Sequence, residues 1–212
     1  MNSGGQRTPA VTVVDYGIGN LSSALKAFEH IGASVELTDD PQSIASASAV
    51  VLPGVGSFGP TMSALRDLGL DSAISSFIDS GRPFLGICVG MQVLYESSEE
   101  SPGVDGLGVL QGTVRALRGS VKVPQMQWNT IELVADGSGL FTGLGDQPWL
   151  YFVHSYAGEV SDHTTAICDY GEQFSAAVRK GNVFATQFHP EKSGASGLRI
   201  LSNFVSLAAN HS

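Results

Sequence analysis

The sequence contains few cysteines, few basic residues and no long apolar run. Its two cysteines, Cys88 and Cys168, are too few for a disulfide framework and cannot form a structural zinc site by themselves. It has 11 lysines and arginines against 20 aspartates and glutamates, which gives a net charge of −9. This charge argues against a nucleic-acid-binding protein, because such proteins present basic residues to the phosphates. Since no stretch of about 18 apolar residues occurs, the sequence predicts no membrane span.

The first nine residues form a short polar segment. It lacks the apolar core of a signal peptide, and it is too short and too poor in arginine for a transit peptide. We therefore expect a disordered tail over residues 1–9, a single domain over residues 10–212 and a cytoplasmic location.

Apolar, β-rich runs alternate with helix-compatible segments in the first half of the chain. The runs at residues 10–15, 49–54 and 83–87 are almost continuously apolar. Such strands are typical of parallel sheets whose two faces are both covered. After about residue 105 strand-like runs follow one another through turns, until a helix-compatible segment closes the chain. The sequence thus predicts an α/β fold, with a central, mainly parallel sheet flanked by helices and a β-rich second half.

Cys88 lies between a predicted strand and a predicted helix, CVGMQVLYESS. Gly86 and Gly90 flank it in a G-x-C-x-G pattern, which resembles the tight turn that lifts a nucleophile above a sheet. Unpaired N–H groups at a helix N-terminus favour the reactive thiolate. We interpret Cys88 as a nucleophile; the alternative is a small buried apolar side chain. Cys168, in a strand-like run with no nearby base, is predicted to be structural.

A nucleophilic thiol needs a base and a group that orients the base. Among five histidines, His189 follows an apolar strand and precedes Pro190 and Glu191. Residues two apart in an extended chain point to the same side, so Glu191 can reach the His189 imidazole. Proline between them favours that extended conformation. The alternative, two polar side chains entering solvent at a strand end, becomes weaker because Cys88 supplies the nucleophile that such a pair would serve.

The glycine-rich loop PGVGSFG, residues 53–59, follows a predicted strand and could supply N–H donors to an oxyanion. The N–H of Val89, next to the thiol, is the expected second donor. An ordinary strand-to-helix turn is the alternative. The loop lacks the Gly-Lys-Ser/Thr ending of a phosphate-binding loop, and Gly17 and Gly19 form only part of a dinucleotide fingerprint. No group of His, Cys, Asp and Glu shows metal-binding spacing. We therefore predict no metal and no cofactor.

Two segments carry a family resemblance. GICVGMQ at residues 86–92 and QFHPEKS at residues 187–193 resemble the two signatures of the class I glutamine amidotransferases, whose glutaminase domains use a Cys-His-Glu triad. Four further segments narrow the resemblance to the glutaminase subunits of imidazole glycerol phosphate synthase in histidine biosynthesis: DYGIGN, PGVGSFGPTM, VPQMQWN and YFVHSY. The resemblance covers nearly the whole chain. It implies the three-layer fold of the class I glutamine amidotransferases.

The resemblance also implies a reaction and roles for particular residues. Cys88 would attack the side-chain amide of glutamine and form a γ-glutamyl thioester, with His189 as base and Glu191 as its orienting group. Val55 and Val89 would hold the oxyanion through their N–H groups, after a rearrangement of the PGVG segment. The residues implied for the glutamine pocket are Gly54, Gly56, Gln92 and Ser155. The residues implied for the subunit contact are Asn20, Trp128, Tyr151, His154 and Lys192.

The implied partner is a (β/α)8 cyclase subunit, which would form a heterodimer with this chain. It would use the ammonia to make imidazole glycerol phosphate and an aminoimidazole carboxamide ribonucleotide. Trp128 also fits a contact on physical grounds, since a large aromatic side chain beside polar residues often anchors an interface. The segment around it departs from the family pattern: Gln125 replaces a usual histidine and Gln127 a usual glycine.

Two alternatives to this function stay open. The chain could be the glutaminase subunit of a different amidotransferase synthase, or a non-catalytic binding or regulatory module on the same fold. The intact set of Cys88, His189 and Glu191 argues against the second alternative. Neither nucleic acid nor a membrane is expected as a partner.

Overall fold

The computed structural model describes residues 10–19, 21–134 and 139–211. The predicted tail over residues 1–9 and the predicted contact residue Asn20 lie outside the described residues. The strands of the described ranges are β1 (Ala10–Val14), β2 (Ser34–Thr38), β3 (Ala49–Gly54), β4 (Phe84–Cys88), β5 (Tyr95–Ser98), β6 (Leu110–Ala116), β7 (Gln125–Thr130), β8 (Glu132–Leu133), β9 (Trp149–His154), β10 (Tyr156–Ala157), β11 (Thr164–Asp169), β12 (Gln173–Lys180) and β13 (Val183–Thr186). The helices are α1 (Ser22–His30), α2 (Pro41–Ser46), α3 (Phe58–Asp67), α4 (Leu70–Asp79), α5 (Val89–Gln92) and α6 (Gly194–Ala209), with a 3-10 turn over Pro190–Lys192.

An eight-stranded sheet forms the centre of the fold, in the order β2-β1-β3-β4-β13-β12-β11-β8. The pairings from β2 to β13 are parallel, and those from β13 to β8 are antiparallel. Every residue of β3 and β4 is buried, as expected for strands covered on both faces. The predicted combination of a mainly parallel sheet and a β-rich second half is confirmed.

Helices cover both faces of the parallel part of the sheet. Crossover connections between parallel strands are right-handed. The connection through α1 leads from β1 to β2, towards one edge of the sheet. The connections through α2 and α4 lead to β3 and β4, towards the other edge, so α1 lies on the face opposite to α2 and α4. The packing agrees, because α1 contacts α6 whereas α2 and α3 both contact α4. A hydrophobic core of aliphatic and phenylalanine side chains joins these layers.

The helix after Cys88 is much shorter than the sequence predicts. The segment CVGMQVLYESS was expected to be one helix, but α5 covers only Val89–Gln92, and β5 begins at Tyr95. Strand β5 pairs in parallel with β6, in which the β-branched residues Thr113 and Val114 favour a strand. A single turn aligns few peptide dipoles. Stabilisation of a thiolate at Cys88 therefore depends on the groups around the sulfur more than on a helix.

Strands β7 and β9 form a separate two-stranded antiparallel sheet. Leu150 and Phe152 point inwards and are fully buried, whereas Met126, Trp128 and Trp149 are 62%, 46% and 59% exposed. The register places one set of side chains on the exposed side, which we name the β7–β9 outer face: Met126, Trp128, Trp149, Tyr151 and Val153. Within the described ranges no helix has both the length and the apolar character needed to cross a membrane.

Candidate active site

Cys88 lies at a strained corner at the end of β4. Its φ of 55° and ψ of −111° make it the only non-glycine residue with a positive φ in the described part of the chain. Backbone conformations of this kind cost about 1–3 kcal/mol and concentrate at functional sites. Cys88 is 4% exposed. The predicted strained turn is therefore present, and the strain falls on the cysteine itself.

The flanking glycines provide space for this corner rather than positive φ angles. A Cβ on Gly86 would lie 2.6 Å from the carbonyl oxygen of Gly90, and a Cβ on Gly90 would lie 1.9 Å from the carbonyl oxygen of Leu52. A Cβ on Gly54 would lie 2.4 Å from the Gly90 nitrogen. The glycines thus allow α5 to pack directly against the backbones of β3 and β4. Gly54, implied for the substrate pocket, lies buried under this corner.

His189 lies beside Cys88 because β13 is the parallel neighbour of β4. Thr186 pairs with Ile87, so the chain leaves both strands at the same edge of the sheet. His189 Nδ1 is 2.7 Å from Glu191 Oε1, and the two side chains are 2% and 8% exposed. The buried Nε2 atom has no hydrogen-bond partner of full geometry. Glu191 therefore fixes the ring so that Nε2 is available to Cys88.

The contact between His189 and Glu191 comes from a turn and not from an extended chain. His189 is extended, with φ −99° and ψ 98°, but Pro190–Lys192 forms a 3-10 turn. Pro190 takes the first position of that turn, which suits its fixed φ. The Ser193 hydroxyl donates to the His189 carbonyl at 2.6 Å and closes the turn. The predicted contact is present, although the extended geometry predicted for it is wrong.

Two neighbours change the protonation of His189. Burial by itself lowers its pKa, but the negative charge and hydrogen bond of Cys88 and those of Glu191 outweigh burial and raise the pKa to about 10. The raised pKa favours the imidazolium form of His189. That imidazolium forms a buried ion pair with the Glu191 carboxylate.

Replacing Glu191 with glutamine should lower the pKa of His189. The amide keeps a hydrogen-bond acceptor but loses the charge, so we expect a fall of about 1–2 pKa units. Because the folded-state pKa of His189 lies above its ordinary value of 6.5, protonation stabilises the fold fully below pH 6.5 and less as the pH rises towards 10. In Glu191→Gln this loss should be complete at a lower pH. An NMR titration of the His189 ring and urea unfolding at several pH values measure both effects.

The matched control is Glu36→Gln on the exposed edge strand β2. It removes a carboxylate of the same size far from any buried histidine, so the His189 titration should not move. An unchanged His189 titration in Glu191→Gln would contradict the ion pair described above.

A cavity of about 170 Å³ opens beside Cys88. Its walls include five of the residues that the sequence implied for the site: Gly56, Cys88, Val89, Gln92 and Ser155. The cavity also has walls that the sequence did not indicate: Glu100, Pro124, Val153, His154 and Tyr156. A concave site with a cysteine at its edge and polar groups converging on it has the composition of a small-molecule site.

Glu100 is the charged residue of the cavity wall that sequence reasoning missed. Its Oε2 accepts a hydrogen bond from the Phe58 N–H at 2.8 Å, and the Ser101 hydroxyl accepts one from Gly59 at 3.0 Å. These contacts hold the segment after β5 against the start of α3. In the sequence Glu100 belongs to the acidic run SSEES, which is typical of a solvated surface. Only the fold reveals that one of these carboxylates turns towards the cavity.

The Val55 backbone lies beside the Tyr16 hydroxyl, and Val55 is not among the residues that line the cavity. Burial raises the pKa of the Tyr16 hydroxyl to about 12, and interactions with the Thr61 side chain and the Val55 backbone oppose that rise. The Tyr16 oxygen has no hydrogen bond of full geometry. The rearrangement of the PGVG segment that the family resemblance implied stays a prediction.

The residues implied for a subunit contact have different settings. Trp128 and Tyr151 lie on the β7–β9 outer face with their rings edge to face, 6.1 Å between centroids, and Lys192 is exposed. His154 is only 6% exposed. Its Nδ1 is 2.9 Å from the Tyr156 carbonyl, and its Nε2 is 2.9 Å from Gln125 Oε1. His154 therefore belongs to the cavity wall beneath the outer face.

Gln125 occupies a buried position between His154 and Cys168. Its amide nitrogen is 3.9 Å from Cys168 Sγ, and Asn129 Nδ2 donates to the same sulfur at 3.3 Å. Burial lowers the pKa of His154 to about 4 and raises that of Cys168 to about 12. The glutamine that replaces the usual histidine thus joins two uncharged groups. It also agrees with the prediction that Cys168 is structural.

Comparisons with known proteins give the family. A sequence model of the class I glutamine amidotransferases matches residues 12–207. Three relatives are named imidazole glycerol phosphate synthase subunit HisH. The one from Herpetosiphon aurantiacus is 48% identical over 200 residues, 93% of this chain and 94% of the relative. The one from Methanosarcina mazei is 48% identical over 201 residues (93% and 98%), and that from Acinetobacter baylyi is 46% identical over 199 residues (92% and 97%).

Solved structures agree on the fold. PurLQS from Thermotoga maritima superposes with a TM-score of 0.74 at 21% identity, covering 94% of this chain and 99% of that one. A structure described as a glutamine amidotransferase superposes with a TM-score of 0.73 at 20% identity, covering 93% and 98%. At these identities the likeness shows the fold alone. With the family match and the relatives, it follows that the chain belongs to the class I glutamine amidotransferases and, within them, to the HisH subunits of imidazole glycerol phosphate synthase.

Proposed function

We propose that this chain hydrolyses glutamine to glutamate and ammonia, with Cys88 as nucleophile, His189 as acid and base, and Glu191 as the group that orients His189. One observation carries the proposal: a strained cysteine and a buried His-Glu pair lie at the ends of adjacent parallel strands, beside a cavity. The family supplies the reaction class. A non-catalytic module would have no need to keep this arrangement in a strained backbone.

We propose that the reaction begins with Cys88 as a thiolate beside the protonated His189. The Cys88 thiolate attacks the side-chain amide carbon of glutamine, and a C–S bond forms while the carbonyl oxygen becomes negative. His189, already protonated, gives its proton to the amide nitrogen, the C–N bond breaks and ammonia leaves. Neutral His189 then takes a proton from water, which attacks the thioester and releases glutamate and the thiolate. In this order the histidine acts first as an acid and then as a base.

The oxyanion needs two backbone donors in this proposal, those of Val89 and Val55. Val89 follows the nucleophile directly and lies in the cavity wall, so its N–H is close to the reacting centre. The Val55 backbone lies beside Tyr16, and in this proposal its N–H rotates towards the cavity. In this proposal the chain alone hydrolyses glutamine slowly, and a partner that turns the Val55 amide increases the rate.

Glutamine would bind in the cavity along Gly56, Gln92 and Ser155. Gly56 has a φ of +101°, which leaves backbone exposed to a ligand where a side chain would be strained. Glu100 is the acidic group of the same wall. We propose that its carboxylate pairs with the α-ammonium group of glutamine.

A (β/α)8 cyclase subunit would dock on the β7–β9 outer face, forming a heterodimer. This face combines two exposed tryptophans with Met126, and exposed apolar clusters of this kind mark interaction sites. Val153 belongs to both the outer face and the cavity wall, and its carbonyl is 3.9 Å from Cys88 Sγ. A partner on this face would cover the mouth of the site and receive the ammonia. The relatives' names, which include a synthase, support this partner over that of another pathway.

Glutamate release by the chain alone and with the cyclase tests the proposal. We expect very slow release alone and at least about 100-fold stimulation by the liganded cyclase, since lids and loops commonly gate such sites.

Trp128→Ala should weaken cyclase binding at least about 10-fold, because buried aromatic anchors dominate interfaces. Titration of the stimulation with cyclase measures that affinity.

Leu68→Ala is the matched control for loss of an exposed apolar side chain. Leu68 is 43% exposed and ends α3, about 15 Å along the helix from the site-facing end. Its replacement should leave the affinity for cyclase unchanged. High glutaminase activity without a partner, or stimulation only by a different synthase, would contradict the proposed pairing.

Two expectations from the sequence stay with this proposal. We propose that residues 10–212 form one glutamine amidotransferase domain, supported by the family match over residues 12–207. A cytoplasmic location likewise stays a prediction.

A further inference from the structure

Two buried amide side chains link a backbone carbonyl to the Cys88 sulfur. Gln92 Nε2 donates to the Tyr156 carbonyl at 2.9 Å and to Gln187 Oε1 at 3.1 Å. Gln187 Nε2 in turn donates to Cys88 Sγ at 3.6 Å. Gln187 is fully buried and Gln92 is 4% exposed. These hydrogen bonds are therefore shielded from bulk water and hold their donors in fixed positions.

The direction of this hydrogen-bond chain is determined at its far end. The Tyr156 carbonyl can accept but not donate, so Gln92 presents its NH2 group there. The same NH2 group of Gln92 also donates to Gln187, so Gln187 has to accept with its side-chain carbonyl oxygen. The other end of the Gln187 amide, which is its NH2 group, is thereby turned towards the sulfur. An N–H donor beside sulfur stabilises the thiolate more than the thiol, because hydrogen bonds to charged groups are the stronger ones.

The surroundings of the sulfur leave a place for such a donor. The thiol form of Cys88 can donate to the Val153 carbonyl at 3.9 Å, but the thiolate cannot. The helix after Cys88 is a single turn. The titratable side chains around the sulfur are His189 and Tyr16, whose pKa values Cys88 helps to raise, and Glu100 in the same cavity wall; His189 in turn helps to lower the pKa of His154. Of the uncharged side chains described, Gln187 is the one with an N–H directed at the sulfur.

We propose that Gln187 is a further residue of the catalytic site, whose side-chain amide holds the Cys88 thiolate and is itself oriented by Gln92. This inference rests on the proposed function, in which Cys88 is the nucleophile. It also gives Gln92 a second task besides lining the cavity. Gln187 follows β13 directly, two residues before His189, so one strand end delivers both partners of the sulfur.

The rate of Cys88 alkylation by iodoacetamide as a function of pH tests the proposal, because the thiolate is the reacting form. Cys168 is buried and its pKa is raised to about 12, so Cys88 is the thiol that reacts below pH 10. Gln187→Met and Gln187→Leu replace the amide with an apolar side chain of similar size and so remove the donor. We expect the midpoint of the alkylation profile to rise by about one pH unit, which is tenfold slower alkylation below it. The glutaminase rate should recover as the pH is raised.

Thr186→Val is the matched control in the same strand end. Thr186 is fully buried, and its hydroxyl donates to the Phe188 carbonyl at 3.0 Å without touching the sulfur. It should lower stability and leave the alkylation midpoint in place. A midpoint that stays in both Gln187 variants, or that moves equally in Thr186→Val, overturns the proposal.

A measurement on the unmodified chain covers the case in which the Gln187 variants do not fold. The NMR signals of the Gln187 side-chain NH2 group should shift as Cys88 titrates in the wild type and stay constant in Cys88→Ser. Constant signals in the wild type would overturn the proposal. Failure of this inference and failure of the proposed function give different results. Retained glutaminase activity in Cys88→Ala would remove the nucleophile assignment, whereas the alkylation profile reports on the contact between Gln187 and Cys88.

Discussion

Cys88→Ala is expected to abolish glutamine hydrolysis, with a fall in kcat of about 10⁴–10⁶-fold in the presence of the cyclase partner. Cys88 supplies the thiol of the cavity wall that would form the covalent intermediate, and the histidine that lines the cavity, His154, has a pKa lowered to about 4 and contacts Gln125 and Tyr156. Alanine keeps the β-carbon at the corner and removes the sulfur. Glutamate release under saturating glutamine and cyclase measures the effect.

The matched control for this variant is Cys168→Ala. Cys168 is 1% exposed and contacts Gln125 and Asn129, so its loss should cost about 1–2 kcal/mol of stability and leave kcat within about twofold. Both variants should still bind the cyclase, because neither side chain lies on the β7–β9 outer face. Stimulated glutamate release that stayed unchanged in Cys88→Ala would remove the assignment of the nucleophile.

The sequence predicts the reactive centre well because its physical causes are local or follow from strand order. Glycines around Cys88 indicate a crowded corner, and the sequence after β13 places a carboxylate within two residues of His189. Parallel strands end at the same edge of a sheet, so motifs 101 positions apart in the sequence meet there. The sequence predicts the contacts among these residues better than the backbone conformations that produce the contacts. The strain falls on Cys88 and not on its glycines, and a 3-10 turn takes the place of the extended His189–Glu191 segment.

The rest of the site depends on tertiary packing that a single sequence does not carry. Glu100 reads as part of a solvated acidic run until the segment after β5 packs against α3. In the sequence Gln187 is an ordinary residue at the end of a strand. Its contact with Cys88 arises only because β4 pairs beside β13 in the fold. The helix expected after Cys88 ends after one turn because β5 pairs with β6. The register of β9 turns His154 inwards, and its place at the subunit contact stays a prediction.

Gly90→Ala is expected to cost about 3 kcal/mol or more in the free energy of unfolding, and to reduce glutaminase activity at least about 100-fold in the protein that folds. The added Cβ would lie 1.9 Å from the Leu52 carbonyl oxygen. Leu52 belongs to β3, a fully buried central strand paired on both sides, so it cannot move away. The steric clash can therefore be removed only if α5 moves, and a movement of α5 also displaces the adjoining Cys88. Urea unfolding and glutamate release measure the two effects.

Two further glycines separate crowding from backbone strain. A Cβ on Gly145 would meet no atom within 4 Å, and Gly145 has no positive φ, so Gly145→Ala should change stability by less than about 0.5 kcal/mol. Gly81 also has open space but a φ of +76°, so Gly81→Ala should cost about 1–2 kcal/mol from conformation alone, with full activity retained. Gly90, whose φ is ordinary, should exceed both because its cost is steric. A Gly90→Ala protein as stable and active as Gly145→Ala would mean that close packing of α5 on β3 does not hold the nucleophile in its strained conformation.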